Sequence, residues 1–163
     1  MHQLHIFTTG GTIDKVYFDQ LSDYQVGTSI VDKLLQEARV TLPFRVSSLL
    51  QKDSLHLDDN DRQRIRDAVL AAPERLIIIT HGTDTMPDTA RYLTDIPDKT
   101  IVMTGSLAPA RFAMTDATFN VGMAVAAVQA LDSGCYIVMN GQIFAGDAVV
   151  KNRDLNQFEA ITG

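Results

Sequence analysis

The chain has 163 residues, 45% hydrophobic and 21% charged, which suits one compact domain spanning 1–163 and leaves no room for a second full domain. Its formal net charge of -6 argues against a general affinity for nucleic acid or anionic lipid, which needs clustered Lys and Arg. No run of about 18 apolar residues that could span a membrane occurs, and the start Met1-His2-Gln3-Leu4-His5 lacks the basic and then apolar profile of a signal peptide, so the cytoplasm is the expected compartment.

Read in chain order, the first element is an apolar strand, Leu4 to Thr8, followed by the small polar loop Thr9-Gly10-Gly11-Thr12. Val31, Leu34, Leu35 and Ala38 then recur at helical spacing and make one apolar face. A second strand, Phe44 to Leu50, leads to Asp53-Ser54. Ile65, Ala68, Val69 and Ala72 repeat the helical pattern until Pro73 ends it, and Arg62, Arg64 and Arg66 on the same helix read as a solvated face. The third strand, Leu76 to Thr80, runs into His81-Gly82-Thr83-Asp84-Thr85. Thr85-Met86-Pro87 has the form of a capped helix start with proline in the first turn, and Pro97 stops that helix. A fourth strand, Ile101 to Thr104, ends at Gly105-Ser106. Thr115 or Asp116 is the expected cap of a helix from Ala117 to Leu131 that is apolar nearly all round and so expected to be buried, with Met114 and Met123 as core filler. Cys135, the only cysteine, cannot form an internal disulfide and reads as a small core residue ahead of the last strand, Tyr136 to Met139.

Strands alternating with helices predict an α/β fold: a parallel sheet with helices on both faces, flavodoxin-like or Rossmann-like, in a single domain. Ligands of such sheets collect beyond the carboxyl ends of the strands, where this chain places its glycines, hydroxyls and a carboxylate. Glycines at 10 and 11 let the backbone approach a ligand and leave N–H groups for an oxyanion or a phosphate. Neither GxxxxGK[ST] nor GxGxxG occurs, which disfavours a nucleotide. His2, His5, His56 and His81 show no HExxH spacing and no cysteine pairing, so no metal is expected. Hydroxyl chemistry remains, with Thr12 and Thr83 in separate glycine-bearing loops. A threonine hydroxyl must pass its proton to a base, and a lysine serves where burial favours the neutral amine. Lys15 and Lys151 both qualify by location, and composition does not choose between them. On residue types alone, the plainer reading is that both threonines close turns.

Thr9-Gly10-Gly11-Thr12-Ile13 resembles the first signature of the asparaginase and glutaminase family of bacterial type, and His81-Gly82-Thr83-Asp84-Thr85-Met86 resembles the second. The similarity continues through Thr104-Gly105-Ser106 with Pro109, Asp116, Phe119-Asn120 and Val138-Met139-Asn140. The resemblance implies an amidohydrolase that converts L-asparagine to L-aspartate and ammonia through a threonine acyl-enzyme, without metal or organic cofactor, and as a homo-oligomer. It implies Thr12 as nucleophile and Tyr24 as the tyrosine of a closing loop beside it. Thr83, Asp84 and Lys151 would form the second polar group, moving protons and holding the substrate ammonium. Ser54, with Asp53 and Gly11, would help bind the substrate, Ser54 through its α-carboxylate.

The sequence also departs from the family pattern. The common form has a C-terminal domain whose glutamate contacts the ammonium; no residue here takes that role, and Glu159 is only the nearest late glutamate. Leu55 stands where secreted members carry glutamine and reads as ordinary packing, and His56, where an aspartate is frequent, is expected in solvent. His81 is expected to brace its loop by hydrogen bonding, Asp14 and Lys15 to pair with each other, and Asn120 and Asn140 to be structural. Two other readings stay open: a glutaminase or mixed amidase, and an amino-acid-binding module that has lost turnover.

Overall fold

Strands that are apolar on both sides need cover on both faces of their sheet, and the helices between them supply it. The computed structural model describes residues 3–161. Met1 and His2, which enter the signal-peptide and metal-ligand readings, lie outside the described residues, as do Thr162 and Gly163.

The elements in order are β1 (Leu4–Gly10), β2 (Lys15–Phe18), β3 (Asp23–Val26), α1 (Val31–Glu37), β4 (Phe44–Lys52), α2 (Asp59–Ala71), β5 (Leu76–Thr80), α3 (Met86–Arg91), β6 (Thr100–Thr104), α4 (Ala117–Ala130), β7 (Gly134–Met139), β8 (Gln142–Ala145), β9 (Val149–Asn152) and β10 (Gln157–Ala160). The main sheet runs β4-β1-β5-β6-β7-β8, with every pairing parallel except that of β8 on β7. The five parallel strands thus take the flavodoxin-like order 2-1-3-4-5, which selects between the two expected topologies. That order reverses between β1 and β5, the position where sheets of this kind bind ligands beyond the carboxyl ends of their strands.

Successive side chains of a strand point to opposite faces, and the core divides accordingly. Phe7, Ile77, Ile79, Ile101 and Met103 pack with Ile65 and Val69 of α2 and Met86 and Ala90 of α3. Ile6, Ile78, Val102 and Val138 pack on the other face with Val31 and Leu35 of α1 and Val121, Ala124 and Val128 of α4. Helices therefore cover both faces. The five strands read from the sequence are all present, together with a hairpin β2–β3, the edge strand β8 and a hairpin β9–β10 that periodicity does not reveal.

Several expectations need correction. α4 buries one stripe only: Phe119 is 65% exposed, and the neighbouring Met114 is 87% exposed, so it fills no core. Met123 does pack against the core. Leu55 is exposed as well, so it is not ordinary packing. Arg62 leaves the solvated face and is buried, whereas Arg64 is exposed. Asp116 sits at the cap position of α4, but the Ala117 N–H is taken by the Thr115 hydroxyl, and the Asp116 carboxylate accepts the N–H groups of Leu107 and Ala108. Thr85 does not cap α3 with its side chain; its hydroxyl donates to the Ser54 carbonyl at 2.8 Å. Cys135 is buried as expected, and burial pushes its thiol up to about 12. Among the described residues, no helix is long and apolar enough to cross a membrane.

Asp14 and Lys15 do not pair. Lys15 Nζ lies 3.6 Å from Asp53, and Asp14 is buried at the root of the β2–β3 hairpin. Arg111 fastens that root, donating to the Asp14 carbonyl at 3.2 Å and the Thr28 carbonyl at 2.7 Å. Burial pushes the Asp14 carboxyl up to about 6, against the Ser29 side chain, the Ile30 backbone and the Arg111 charge, which pull it down.

An acid whose pKa is higher folded than unfolded keeps its proton longer in the native state. The contribution of Asp14 is therefore most favourable below about pH 4, weakens as pH rises toward about 6 and then levels off. The loss is about 3 kcal/mol. Asp14→Asn should remove that slope and raise stability at pH 7 relative to pH 4; urea titrations at both pH values would show it, and an unchanged slope would refute the assignment. The packing can be tested at Ile78, fully buried in the middle strand β5, where Ile78→Ala should cost about 2–5 kcal/mol. A change below about 1 kcal/mol, the scale of a surface substitution, would contradict the close packing of strand and helices.

Candidate active site

The loops leaving β1, β4, β5 and β6 meet at glycines. Gly10 and Gly11 have φ of +102° and +87°, a region that L side chains rarely adopt. A Cβ on Gly11 would strike the Gly82 backbone, one on Gly82 would lie 2.6 Å from Ser54 Cβ and Oγ, and one on Gly105 would strike the His81 carbonyl. Gly10 is similarly closed against Lys52, 2.5 Å from its carbonyl oxygen. Hydrogen bonds join the same loops: Gly11 N–H donates to Lys52 O at 2.9 Å, Thr9 Oγ1 to Thr80 O at 2.8 Å and His81 N–H to Thr104 O at 3.0 Å. The Gly11 N–H is therefore occupied and is not among the N–H groups left for an oxyanion.

Thr12 opens a short 3-10 turn, Thr12–Asp14, directly after Gly11 and is half-buried. Thr83 is buried in the loop after β5. Lys151 reaches this loop from β9: its Nζ donates to Thr83 Oγ1 at 2.8 Å and Asp84 Oδ1 at 2.7 Å. The reach has a cause in packing, because Val149 and Phe158 bury themselves in the core and Asn140 Oδ1 accepts the Phe158 N–H, which fixes the hairpin beside α3. Arg153 adds a second cation 3.7 Å from Asp84. Of the two lysines left open by sequence, the structure brings Lys151 to Thr83 and Lys15 to Asp53.

Ser54 is buried in a 3-10 turn, Ser54–His56, whose preceding residue Asp53 accepts the Leu55 N–H at 3.0 Å. Tyr24 lies on β3, half-exposed, with ring centroids 5.2 Å from Tyr17 and 5.6 Å from Phe112. It lines a cleft of about 360 Å³ with Lys15, Lys52, Asp53 and His56; Thr12, Thr83, Asp84 and Lys151 are not among that cleft's walls. Thr83, Asp84 and Lys151 thus form one cluster, joined through Gly82 and Gly11 to Ser54 and the Thr12 turn, while Tyr24 and Asp53 flank the adjoining cleft.

His81 braces the loop, as expected. It is fully buried, with Nδ1 2.7 Å from the Gly82 carbonyl and Nε2 2.8 Å from Thr89 Oγ1. Burial, with a smaller contribution from the Arg62 charge, lowers its pKa to about 4. Asn120 donates to the Gly105 carbonyl at 2.9 Å, holding the β6 loop. His56 is exposed. Glu159 accepts from Asn152 and Gln157 on its own hairpin. Sequence reasoning does not find Thr89 or Arg153 as parts of the site, and it gives Thr85, within the loop after the third strand, only a capping role. It also misplaces Arg62, although a signal is available: Arg62 precedes Ile65 by three residues and so shares its buried helical face.

Comparison with known proteins agrees with this architecture. The family model described as asparaginase, N-terminal, matches residues 3–162. A glutaminase-asparaginase from Acinetobacter glutaminasificans is 30% identical over 169 aligned positions, covering 93% of this chain and 50% of that protein. L-asparaginase 2 from Bacillus subtilis is 28% identical, with 91% and 43% covered. The solved structure of the thermostable L-asparaginase from Thermococcus kodakarensis superposes with a TM-score of 0.84 at 27% identity, covering 98% of this chain and 51% of that one. The chain spans about half the length of these relatives. With the family match running through nearly every residue, the chain belongs to the asparaginase family and corresponds to its N-terminal region.

Proposed function

We propose that the protein is an amidohydrolase that converts L-asparagine to L-aspartate and ammonia through a Thr12 acyl-enzyme. The observation that carries this reading is the contact of Lys151 Nζ with both Thr83 Oγ1 and Asp84 Oδ1, in a loop packed glycine to glycine against the one bearing Thr12. Thr12 Oγ1 attacks the side-chain amide carbon, its proton leaves to a base, and the C–N bond breaks as the nitrogen takes a proton and departs as ammonia. Water then cleaves the ester, with Thr83 and Lys151 moving its proton, and restores the Thr12 hydroxyl. Backbone N–H groups near Thr12 and Thr83 would stabilise the tetrahedral oxyanion, each worth about 3 kcal/mol.

Ser54 binds the α-carboxylate and Asp84 the ammonium, with Gly11 and Asp53 shaping the same rim and Tyr24 closing over it. This chemistry needs neither metal nor organic cofactor. The reading includes a homo-oligomer in the cytoplasm; a chain whose only cysteine is free and buried needs no oxidising compartment. The named relatives include both asparaginases and a glutaminase-asparaginase, so glutamine is the competing substrate.

Ammonia release tests the reading. Thr12→Ala should fall to background, and Thr83→Ala and Lys151→Met should each lose about 10²- to 10⁴-fold in kcat with the fold intact by circular dichroism. Wild-type protein that binds asparagine and frees no ammonia would instead support the binding-module reading. Asparagine should exceed glutamine in kcat/KM by about 10- to 200-fold, the usual worth of one methylene; the reverse order would make the protein a glutaminase.

A further inference from the structure

The buried side chains behind the Thr83 loop form a directed hydrogen-bond chain. Arg62 Nε lies 3.2 Å from Thr89 Oγ1, which lies 2.8 Å from His81 Nε2, and His81 Nδ1 lies 2.7 Å from the Gly82 carbonyl. Donor and acceptor chemistry, with the burial of the ring, places the protons in this chain. A carbonyl only accepts, so His81 Nδ1 carries a proton; a guanidinium only donates, so Thr89 Oγ1 accepts from Arg62. With the ring kept neutral by full burial close to the Arg62 charge, its bare Nε2 accepts the Thr89 hydroxyl proton. Donation therefore runs from Arg62 through Thr89 and His81 to Gly82, and the imidazole is neutral. A second proton on His81 would add a like charge, close to Arg62, to a fully buried site. The low pKa of His81 agrees with this.

The consequence lies in the Gly82–Thr83 peptide. A trans peptide is planar, with its C=O and N–H directed oppositely, so holding the Gly82 oxygen against His81 turns the Thr83 N–H away from the imidazole. Glycine's own backbone preferences do little to fix that peptide, so the hydrogen bond to His81 orients it together with the packing against Gly11 and Ser54. We infer that Arg62 is a positioning residue, which acts through Thr89 and His81 to lock the Gly82–Thr83 peptide in the orientation that the Thr83 site needs. Asp59 holds the other end of Arg62, accepting from Nη1 at 3.2 Å. Cooperative polarisation along the chain also strengthens the Thr83 N–H as a donor.

The kinetic arm of the test rests on the amidohydrolase reading; the spectroscopic arm does not. In wild-type protein at pH 7, long-range ¹⁵N–¹H correlation should show His81 neutral and protonated on Nδ1. Thr89→Val should shift the Thr83 backbone amide resonance and lower kcat for asparagine by about tenfold or more, with KM changed less than about threefold, as expected when a group acts mainly in the transition state. Thr89→Ser should restore both. Arg62→Gln should move the Thr83 amide in the same direction, and the Thr89 pair keeps the test decisive if that variant fails to fold. An Nε2-protonated His81 in wild type, or a Thr83 amide unmoved by Thr89→Val, would overturn the inference. If wild-type protein releases no ammonia, the amidohydrolase reading fails while the His81 and Thr83 spectra still decide this one.

Discussion

The absence of side chains where the strand-end loops touch governs the rest of the site. Parallel strands lie about 4.8 Å apart, so loops leaving the same end of adjacent strands begin at that spacing. They stay together only if one side of each contact carries no Cβ. Gly11 on Gly82, Gly82 on Ser54 and Gly105 on the His81 carbonyl meet that condition at three successive contacts. Since β1 and β5 are the neighbours at which the strand order reverses, this contact also sits at the position where such sheets bind ligands. The Thr12 turn and the Thr83 loop share a rim because two glycines allow their backbones to touch.

The fold is legible in the sequence wherever burial is complete. Ile77, Ile78 and Ile79 form an uninterrupted apolar run because both faces of β5 are covered, and the same logic picks out β1, β6 and β7, whereas the edge strand β4 is mostly half-buried and shows through its apolar residues alone. Short strands with solvent on one side leave no such trace. Asp23-Tyr24-Gln25-Val26 alternates over only four residues and is largely exposed, and Gln142 to Ala145 buries only Phe144, so neither has a long apolar run. α4 misleads for a related reason. Its composition is apolar around the helix, but only the stripe through Ala117, Val121, Ala124 and Val128 meets the sheet, and Phe119 remains in solvent.

At the site, the glycine and threonine loops can be read directly, whereas the choice of lysine cannot. Lys15 follows Thr12 closely in sequence, yet β2 carries it toward Asp53. Lys151 is distant in sequence, yet Val149 and Phe158 anchor its hairpin in the core and turn it to Thr83. Proximity along the chain is the weaker guide because the hairpin's apolar residues, not its charged ones, set its direction. The resemblance to the asparaginase family supplies Lys151 where spacing leaves two candidates.

Two buried titratable side chains stand behind the two threonine loops, and they resolve the cost of burial differently. His81 stays neutral: its ring is fully buried close to the Arg62 charge, and both ring nitrogens have partners that a neutral imidazole satisfies. Asp14 has no equivalent arrangement. Its Oδ1 has no hydrogen-bond partner among the described residues, and with a pKa of about 6 the carboxyl is mostly ionised at neutral pH despite being buried. A side chain selected only for stability would not be an aspartate there. Its position two residues after Thr12, at the root of the hairpin that carries Tyr24, places that destabilising charge where local consistency is most often given up for function.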